Sequence, residues 1–583
     1  MTRQKRKSSK SKATHHVEAR IEERKLVRIE IILLVCILAL AGGLRVYHLG
    51  QSPLWMNVDE GATAWNSYCL LKTGMDQHGV RWPIFDSAGF GQGMTTLYLY
   101  MLIPFQAIGG LNVITSRAPA AMCGVLMVFL IYYVGKRLFD RWVGIAAAGL
   151  LALSPWHLQQ SRWGHMANLF PLIALAPLAV MLWAGFPGAD DGSRPLRPWQ
   201  ALLAGAVTGV GCYGFYGARL WIPVFCTAFV LVNWRAWWGR LKTRPGVLAT
   251  AAFLLMVLLT FGPLVWASVR LPLVMKRAEV TWVWNPSDAF MTKIEKVVAR
   301  YPGHFGPGFL FQRGDTDVTL SPPAGYGLFH WYTLPMMLAG LAYVFPRLRR
   351  SSSARVLLTW VALYPAADLL NDHPTMHALR SLPGAAALSL TAAVGLIFLL
   401  RRSWHWHRQW TVVLAMVAAL FILITTMRFN LAFFGDFNAD PIRYQVSHRD
   451  LVEACAWLKP RLQDEDAVFV TRTGMLHPYI YTLVGLQYDP RQWFRDPKTF
   501  EEGRLPNGTF RNEEMCLRYG KLHFIFGEAS RREIDQLVKN GRGNRVVFIM
   551  RPGELQLGSR VSPVRQIRDP EGNLSLVIYE FTI

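Results

Sequence analysis

The chain has 583 residues, of which 52% are hydrophobic and only 17% charged, and it contains 22 tryptophans. So few charges exclude an ordinary soluble protein of this length. The formal charge of +24, from 62 basic against 38 acidic residues, does not point to nucleic acid. Much of the excess sits in short loops between apolar runs, as in a multi-pass membrane protein with basic cytoplasmic loops.

Residues 1–30 form a basic tail carrying Arg3, Lys5, Arg6, Lys7, Lys10 and Lys12, expected to be irregular, cytoplasmic and within reach of anionic lipid. The first apolar run, Ile31–Leu44, is followed by no small-residue cleavage site and reads as an uncleaved anchor. Further spans are expected at Ala118–Gly135, Trp142–Pro155, Leu169–Phe186, Ala201–Gly217, Leu220–Asn233 and Val247–Ala267. Four more follow at Leu328–Phe345, Val356–Leu370, Pro383–Leu400 and Thr411–Met427. Counting Met94–Gly110 as a span would place Lys136-Arg137, the Arg235–Arg244 cluster, Arg347/Arg349/Arg350 and Arg401-Arg402 outside. As an interfacial helix it leaves all of them inside, so about 11 transmembrane helices are expected.

This topology puts the outer loops at 46–117 and 268–327, with short outer segments at His157–Asn168 and Asn371–Arg380. Residues 429–583 become an extracytoplasmic α/β domain behind a transmembrane domain at 31–428. In the soluble part, helices are expected at Ser447–Leu458, capped by Ser447, and at Arg531–Lys539. Strands are expected at Ala467–Thr471, Lys521–Phe526, Arg545–Met550 and Leu574–Phe581. The absence of a Gly-rich phosphate loop argues against a nucleotide there. Cys36, Cys69, Cys123, Cys212 and Cys226 read as small apolar residues, whereas Cys455 and Cys516 have the option of pairing outside the cytoplasm.

The polar residues that stand out lie on the outer side. Asp59-Glu60 sits at the water–lipid boundary, where an aspartate partly removed from water suits a general base; the plainer reading is a helix N-cap. Arg117, Arg162, Arg219 and Arg380 each stand at an outer span end, against the positive-inside trend, and are candidates for a phosphate; snorkelling is the alternative. The segment from His304 to Asp315, containing Arg313, is aromatic and Gly-rich, which suggests a lid over a lipid chain or an interface loop. Asp76, His78, His165, Asp372, His373 and His377 leave a divalent metal open without forming a ligand motif.

The order Thr73-Gly-Met-Asp-Gln-His-Gly to Pro83, Tyr98-Leu-Tyr, and Arg117-Ala-Pro-Ala-Ala-Met-Cys-Gly resembles bacterial glycosyltransferase family 39. Ser154-Pro-Trp, Ser161-Arg162, Phe309-Leu-Phe, Gly314-Asp315 and His377-Ala-Leu-Arg380 extend the likeness over roughly residues 30–430. That family holds protein O-mannosyltransferases and aminoarabinose transferases of the GT-C membrane fold. The resemblance implies an enzyme of the cell membrane moving a sugar from a polyprenyl phosphate to an extracytoplasmic protein, lipid or glycan. It maps the family's acid pair onto Asp59-Glu60, with Asp59 as base, and its first-loop arginine onto Arg117. The sequence departs from the pattern at Asn168, where family members often carry an acid. Rival readings are a lipid-linked glycan flippase or transporter, and a glycan ligase or polymerase on a similar scaffold. Nearly charge-free span interiors weigh against the transporter.

Overall fold

The computed structural model describes residues 2–582 apart from 91, 187–195, 272–273, 275–280, 286, 318–320, 373–374, 406, 505–509, 527–543 and 555–561; side chains are described from residue 20 onward, apart from 88, 92 and 502–514. Each expected span overlaps a helix. Six described helices are long and apolar enough to cross a membrane: Arg20–Val46, Val113–Leu138, Met166–Trp183, Arg244–Arg270, Pro383–Trp404 and Arg408–Ala439. A seventh is reached if Tyr216–Val232 and Trp234–Leu241, bent by 80° at Asn233, count as one. The remaining expected spans correspond to helices of 12 to 14 residues, too short to cross ~30 Å of hydrocarbon unaided.

The basic tail is continuous with the first span as one helix, Thr2–Val46, rather than irregular. Before Gly42 it has neither proline nor glycine, and its Lys, Arg and Glu are good helix formers. The run Met94–Gly110 forms the 13-residue helix Leu97–Gly109, which packs on Val58–Thr73 and Val113–Leu138. Local chemistry sets the turns between spans. Asn112 and Thr115 form a capping box opening Val113–Leu138, and Asp140 accepts from Trp142 N and Val143 N to open Arg141–Ala152. Only Phe139 and Asp140 separate those two helices, which forces them to pack side by side as an antiparallel pair.

Helices Thr333–Val344 and Pro383–Trp404 cross in close contact, because a Cβ on Gly395 would overlap the Met336 carbonyl. Small residues at such crossings give the tight packing that holds helices together in lipid.

Beyond the last long helix lies a mixed seven-stranded sheet. Its order is Lys498–Arg504, Phe510–Tyr519, Leu522–Ile525, Ala467–Thr471, Arg545–Met550, Leu574–Thr582 and Arg565–Arg568. The central strand Ala467–Thr471 is parallel to both neighbours and every residue in it is buried, as expected of a strand covered on both faces. The neighbouring helix starts at Arg449, and its N-cap is His448 at φ 47°. Ser447 instead donates its hydroxyl to Tyr444 O at 3.1 Å. Arg531–Lys539 lies outside the described residues. Cys455 and Cys516 are both buried free thiols.

The C-terminal part of the chain is seated on the segment that follows the first span. Trp493 donates to Gln77 O at 2.9 Å and meets Trp65 edge-on at 6.0 Å, and Gln487 donates to Leu111 O at 3.0 Å. Trp65 and Trp493 are at most 1% exposed. A side chain of that size removes roughly 150–250 Å² from water, about 4–6 kcal/mol each by area. Helix Val58–Thr73, which carries Asp59, is thereby held between helices Leu97–Gly109 and Pro478–Leu486.

Candidate active site

Two buried arginines shape the chain that leads to Asp59. Arg162 donates Nε to Ser52 O (3.0 Å), Nη1 to Leu44 O (2.7 Å) and Arg45 O (2.9 Å), and Nη2 to Tyr47 O (2.7 Å) and Ser52 O (2.8 Å). Arg117 donates Nη1 to Leu49 O (3.0 Å) and Pro53 O (2.7 Å), and Nη2 to Trp55 O (3.0 Å). It closes on Glu60 with a two-pronged ion pair, Nε to Oε1 at 2.8 Å and Nη2 to Oε2 at 3.1 Å. All five N–H groups of each guanidinium are therefore engaged by the protein. Where residues 44–55 leave the helical register, the two forks gather seven of their carbonyls, while those of Val46 and His48 accept from backbone N–H groups.

Glu60 is fully buried and also accepts from Gly164 N at 2.6 Å. A Cβ at Gly164 would come within 2.5 Å of Ser116 O and 2.9 Å of Glu60 Oε1. Gly164→Ala is accordingly expected to cost about 1–3 kcal/mol, the usual penalty of overpacking, and to reduce activity with it. Thermal unfolding in detergent alongside a transfer assay measures both.

Asp59 is placed differently from its neighbour. Helix Val58–Thr73 is capped by Asn57, whose Oδ1 accepts from Glu60 N at 2.8 Å. The capping role that competes with catalysis thus belongs to Asn57, and the Asp59 carboxylate, 40% exposed, is left to the solvent side. Its Oδ2 lies 3.9 Å from His165 Nε2. His165 Nδ1 accepts from Ala167 N at 3.1 Å, so a neutral ring carries its proton on Nε2, toward the carboxylate.

Asp59 lines two cavities. One, of about 390 Å³, also takes in His165, Arg219, His377 and Arg380. The other, of about 750 Å³, lies between Asn57–Asp59 and the soluble part, with Tyr481, His448 and Arg551 in its wall. Both volumes are typical of small-molecule sites.

In the first cavity Arg219 forms a fork on Asp86, at 2.7 Å to Oδ1 and 3.3 Å to Oδ2, and lies over the Tyr216 ring. Burial pushes the Asp86 carboxyl up to about 6, against the pull of Arg219. The loop bearing His377 and Arg380 is tied from below by two buried acids. Asp315 Oδ2 accepts from Ala378 N at 2.6 Å, and Asp368 Oδ2 accepts from His377 N at 2.9 Å. Asp368 also meets His304 Nε2 at 2.9 Å, both side chains fully buried, and Trp156 donates to Ala378 O at 2.9 Å.

The structure thus brings Asp59, His165, Arg219, His377 and Arg380 together and gives the other candidates different work. Arg117 and Arg162 hold the backbone, and Glu60 holds Arg117. Asp76 accepts from His78 N, Val80 N and Ser87 Oγ, each at 3.0 Å, closing a turn. His78 is exposed beside Phe500, and neither lines the cavities at Asp59. Asn168 donates to Trp163 O at 2.6 Å, while its Oδ1 is buried without a partner. Arg313 is exposed outside both cavities. The aromatic segment does not act as a lid: Phe309, Leu310 and Phe311 are buried, with Phe309 edge-on to Trp156 at 5.9 Å. Its apolar side chains complete the protein core. Among the described residues no group of three or more His, Cys, Asp or Glu could hold a metal ion; His373 lies outside them. Sequence reasoning passed over Asp368, Tyr481 and His448. A lone Asp in the apolar run Val356–Leu370 was a signal for the first, but the other two join the site only through the tertiary fold.

In this arrangement the Asp59 carboxylate stands between a cavity lined by Arg219 and Arg380 and a second cavity walled largely by the C-terminal part of the chain. Residues 94–266 match the family model described as dolichyl-phosphate-mannose-protein mannosyltransferase. No curated protein matches the chain significantly by sequence. Among solved structures, ArnT from Cupriavidus metallidurans bound to undecaprenyl phosphate superposes with a TM-score of 0.52 at 13% identity, covering 95% of this chain and 98% of that one. The apo form of ArnT gives 0.53 at 14%, covering 94% and 97%. The archaeal oligosaccharyltransferase AglB from Archaeoglobus fulgidus, in complex with an inhibitory peptide and a dolichol-phosphate, gives 0.50 at 13%, covering 89% and 69%. The fold is shared with these membrane proteins, and the matched family bears out the resemblance to glycosyltransferase family 39.

Proposed function

We propose that this protein is an integral-membrane glycosyltransferase that moves a sugar from a polyprenyl phosphate to an acceptor on the extracytoplasmic face, inverting the anomeric centre. The observation that carries this reading is the position of Asp59 on the common wall of two cavities. The undecaprenyl phosphate of ArnT and the dolichol-phosphate of AglB support a polyprenyl phosphate as the donor's lipid. Residues 31–428 form the membrane domain with 11 crossings, the N-terminus faces the cytoplasm, and residues 429–583 lie outside.

In the reaction Asp59 takes the proton from an acceptor hydroxyl as the oxygen attacks the sugar's anomeric carbon. The bond from that carbon to the phosphate oxygen breaks, and the electron pair leaves with the polyprenyl phosphate. Phosphate is a good leaving group, so one base and fixed cations suffice. Arg380 and Arg219 stabilise the charge, and the Asp315 and Asp368 contacts hold the Arg380 loop in place. His165 orients the Asp59 carboxylate.

Arg380→Gln is expected to weaken undecaprenyl phosphate binding about 10- to 100-fold, the range for losing a charge-assisted hydrogen bond. Quenching of tryptophan fluorescence by the lipid in detergent measures it. Unchanged affinity in Arg380→Gln and in Arg219→Gln would remove the proposed donor site.

A further inference from the structure

Besides Asp59, the larger cavity is lined by side chains that the reaction above does not use, and their chemistry points to what they bind. Among the described residues its wall holds one guanidinium, Arg551, whose Nη1 is turned inward to the protein. Nη1 lies 2.5 Å from Asp450 Oδ2, a fully buried carboxylate, and bonds Ser575 O (3.0 Å) and Oγ (3.2 Å), while Nε donates to Thr473 O at 3.3 Å. Burial holds His448 down to about 4, so it adds no charge at neutral pH. The wall's other ionisable carboxylates are Asp59 and Asp569. An anionic acceptor would therefore meet two carboxylates and a single guanidinium whose charge is already shared with the buried Asp450.

Two groups in the wall remain open for recognition. His448 is 93% buried, given its 7% exposure, and the Tyr481 side chain stands against it in an edge-on contact at 4.9 Å. Among the described residues no hydrogen bond engages the His448 ring or the Tyr481 hydroxyl, and His448 Nδ1 is buried without a partner. Burial raises the Tyr481 phenol, and the charges of Asp59, Glu60 and Asp450 add to this, so it stays protonated and lies within electrostatic reach of the base. The amides of Gln445 and Asn573 add neutral donors and acceptors, and Leu476 and Leu574 add apolar surface.

We infer that this cavity binds the acceptor as a neutral polyhydroxylated saccharide, with Tyr481 and His448 hydrogen-bonding its hydroxyls beside Asp59. The inference rests on the transferase reading above and names the acceptor class for its second cavity. Neutral groups that both donate and accept, interleaved with small apolar patches, match a sugar's hydroxyl edges and C–H faces. A peptide fits less well. Its backbone is commonly held along an open strand edge, whereas this wall is built from helix residues (Asp59, Gln445, Tyr481), from turns at 447–448, 473–476, 551–552 and 569–573, and from the start of strand Leu574–Thr582, which is paired on both sides.

The test uses the full chain in detergent. Maltotriose, mannotriose and N-acetylchitotriose, the same sugars phosphorylated, and a Ser/Thr-rich peptide are titrated calorimetrically, with undecaprenyl phosphate titrated in parallel. A neutral trisaccharide is expected to bind more tightly than its phosphorylated form or the peptide. Tyr481→Phe should weaken it about three- to tenfold, the loss of one hydrogen bond, and leave undecaprenyl phosphate binding within about twofold, which also shows that the variant is folded. Preference for the peptide or a phosphorylated sugar, or no saccharide binding while undecaprenyl phosphate still binds, overturns the inference and leaves the donor site standing. Failure of the wild-type chain to bind undecaprenyl phosphate contradicts the transferase reading itself.

Discussion

Asp59→Asn is expected to lower the rate of sugar transfer by about 10²–10⁴-fold, the usual contribution of a positioned general base, with no change in membrane insertion or undecaprenyl phosphate binding. The amide has the carboxylate's shape and cannot accept the acceptor's proton. The substitution also leaves the local fold alone, because the helix is capped by Asn57 and Asp59 contributes only its backbone carbonyl, which accepts from Thr63 Oγ1 at 2.6 Å. The loss should therefore appear in kcat rather than in stability. Single-turnover kinetics with a radiolabelled donor separates the two, and an Asp59→Asn enzyme with wild-type kcat would remove the base.

The neighbouring residue should behave in the opposite way. Glu60 and Arg117 are a fully buried pair. Removing one partner leaves the other charge buried and uncompensated, a loss of about 3–5 kcal/mol. Arg117→Ala also deprives the carbonyls of Leu49, Pro53 and Trp55 of their donor. Glu60→Ala and Arg117→Ala are thus expected to give poorly expressed, heat-labile protein. The double variant should be less harmful than the sum of the two, since it leaves no lone charge. Thermal unfolding of all three in detergent closes the cycle, and strict additivity would show that the pair is not coupled. Adjacent acids in one motif then have separate duties, Asp59 in the reaction and Glu60 in positioning it.

The sequence made the helical frame legible, because long apolar runs bounded by charge are a strong and local signal. It also singled out Asp59, His165, Arg219, His377 and Arg380 through polar residues at span ends. Arg117 and Arg162 carried the same signal, yet their donors turn inward to backbone carbonyls. A lone arginine at a span end does not reveal whether its partner is a ligand or a loop that has left helical register. The aromatic segment from Phe309 to Phe311 misled for a related reason: apolar content is the same whether it covers a lipid or fills a core. Tyr481 and His448 were beyond reach, since only the seating of the soluble part on helix Val58–Thr73 places them beside Asp59.

The most direct test of the central claim follows the sugar itself. Wild-type and Asp59→Asn proteins, reconstituted in vesicles with a radiolabelled polyprenyl-phosphate sugar, are supplied with neutral saccharide acceptors on the extracytoplasmic face. Label is expected to pass to the acceptor with wild type, releasing polyprenyl phosphate, and to stay on the lipid with Asp59→Asn. Label that crosses the bilayer still attached to its lipid, equally with both proteins, would contradict a transferase and identify a transporter.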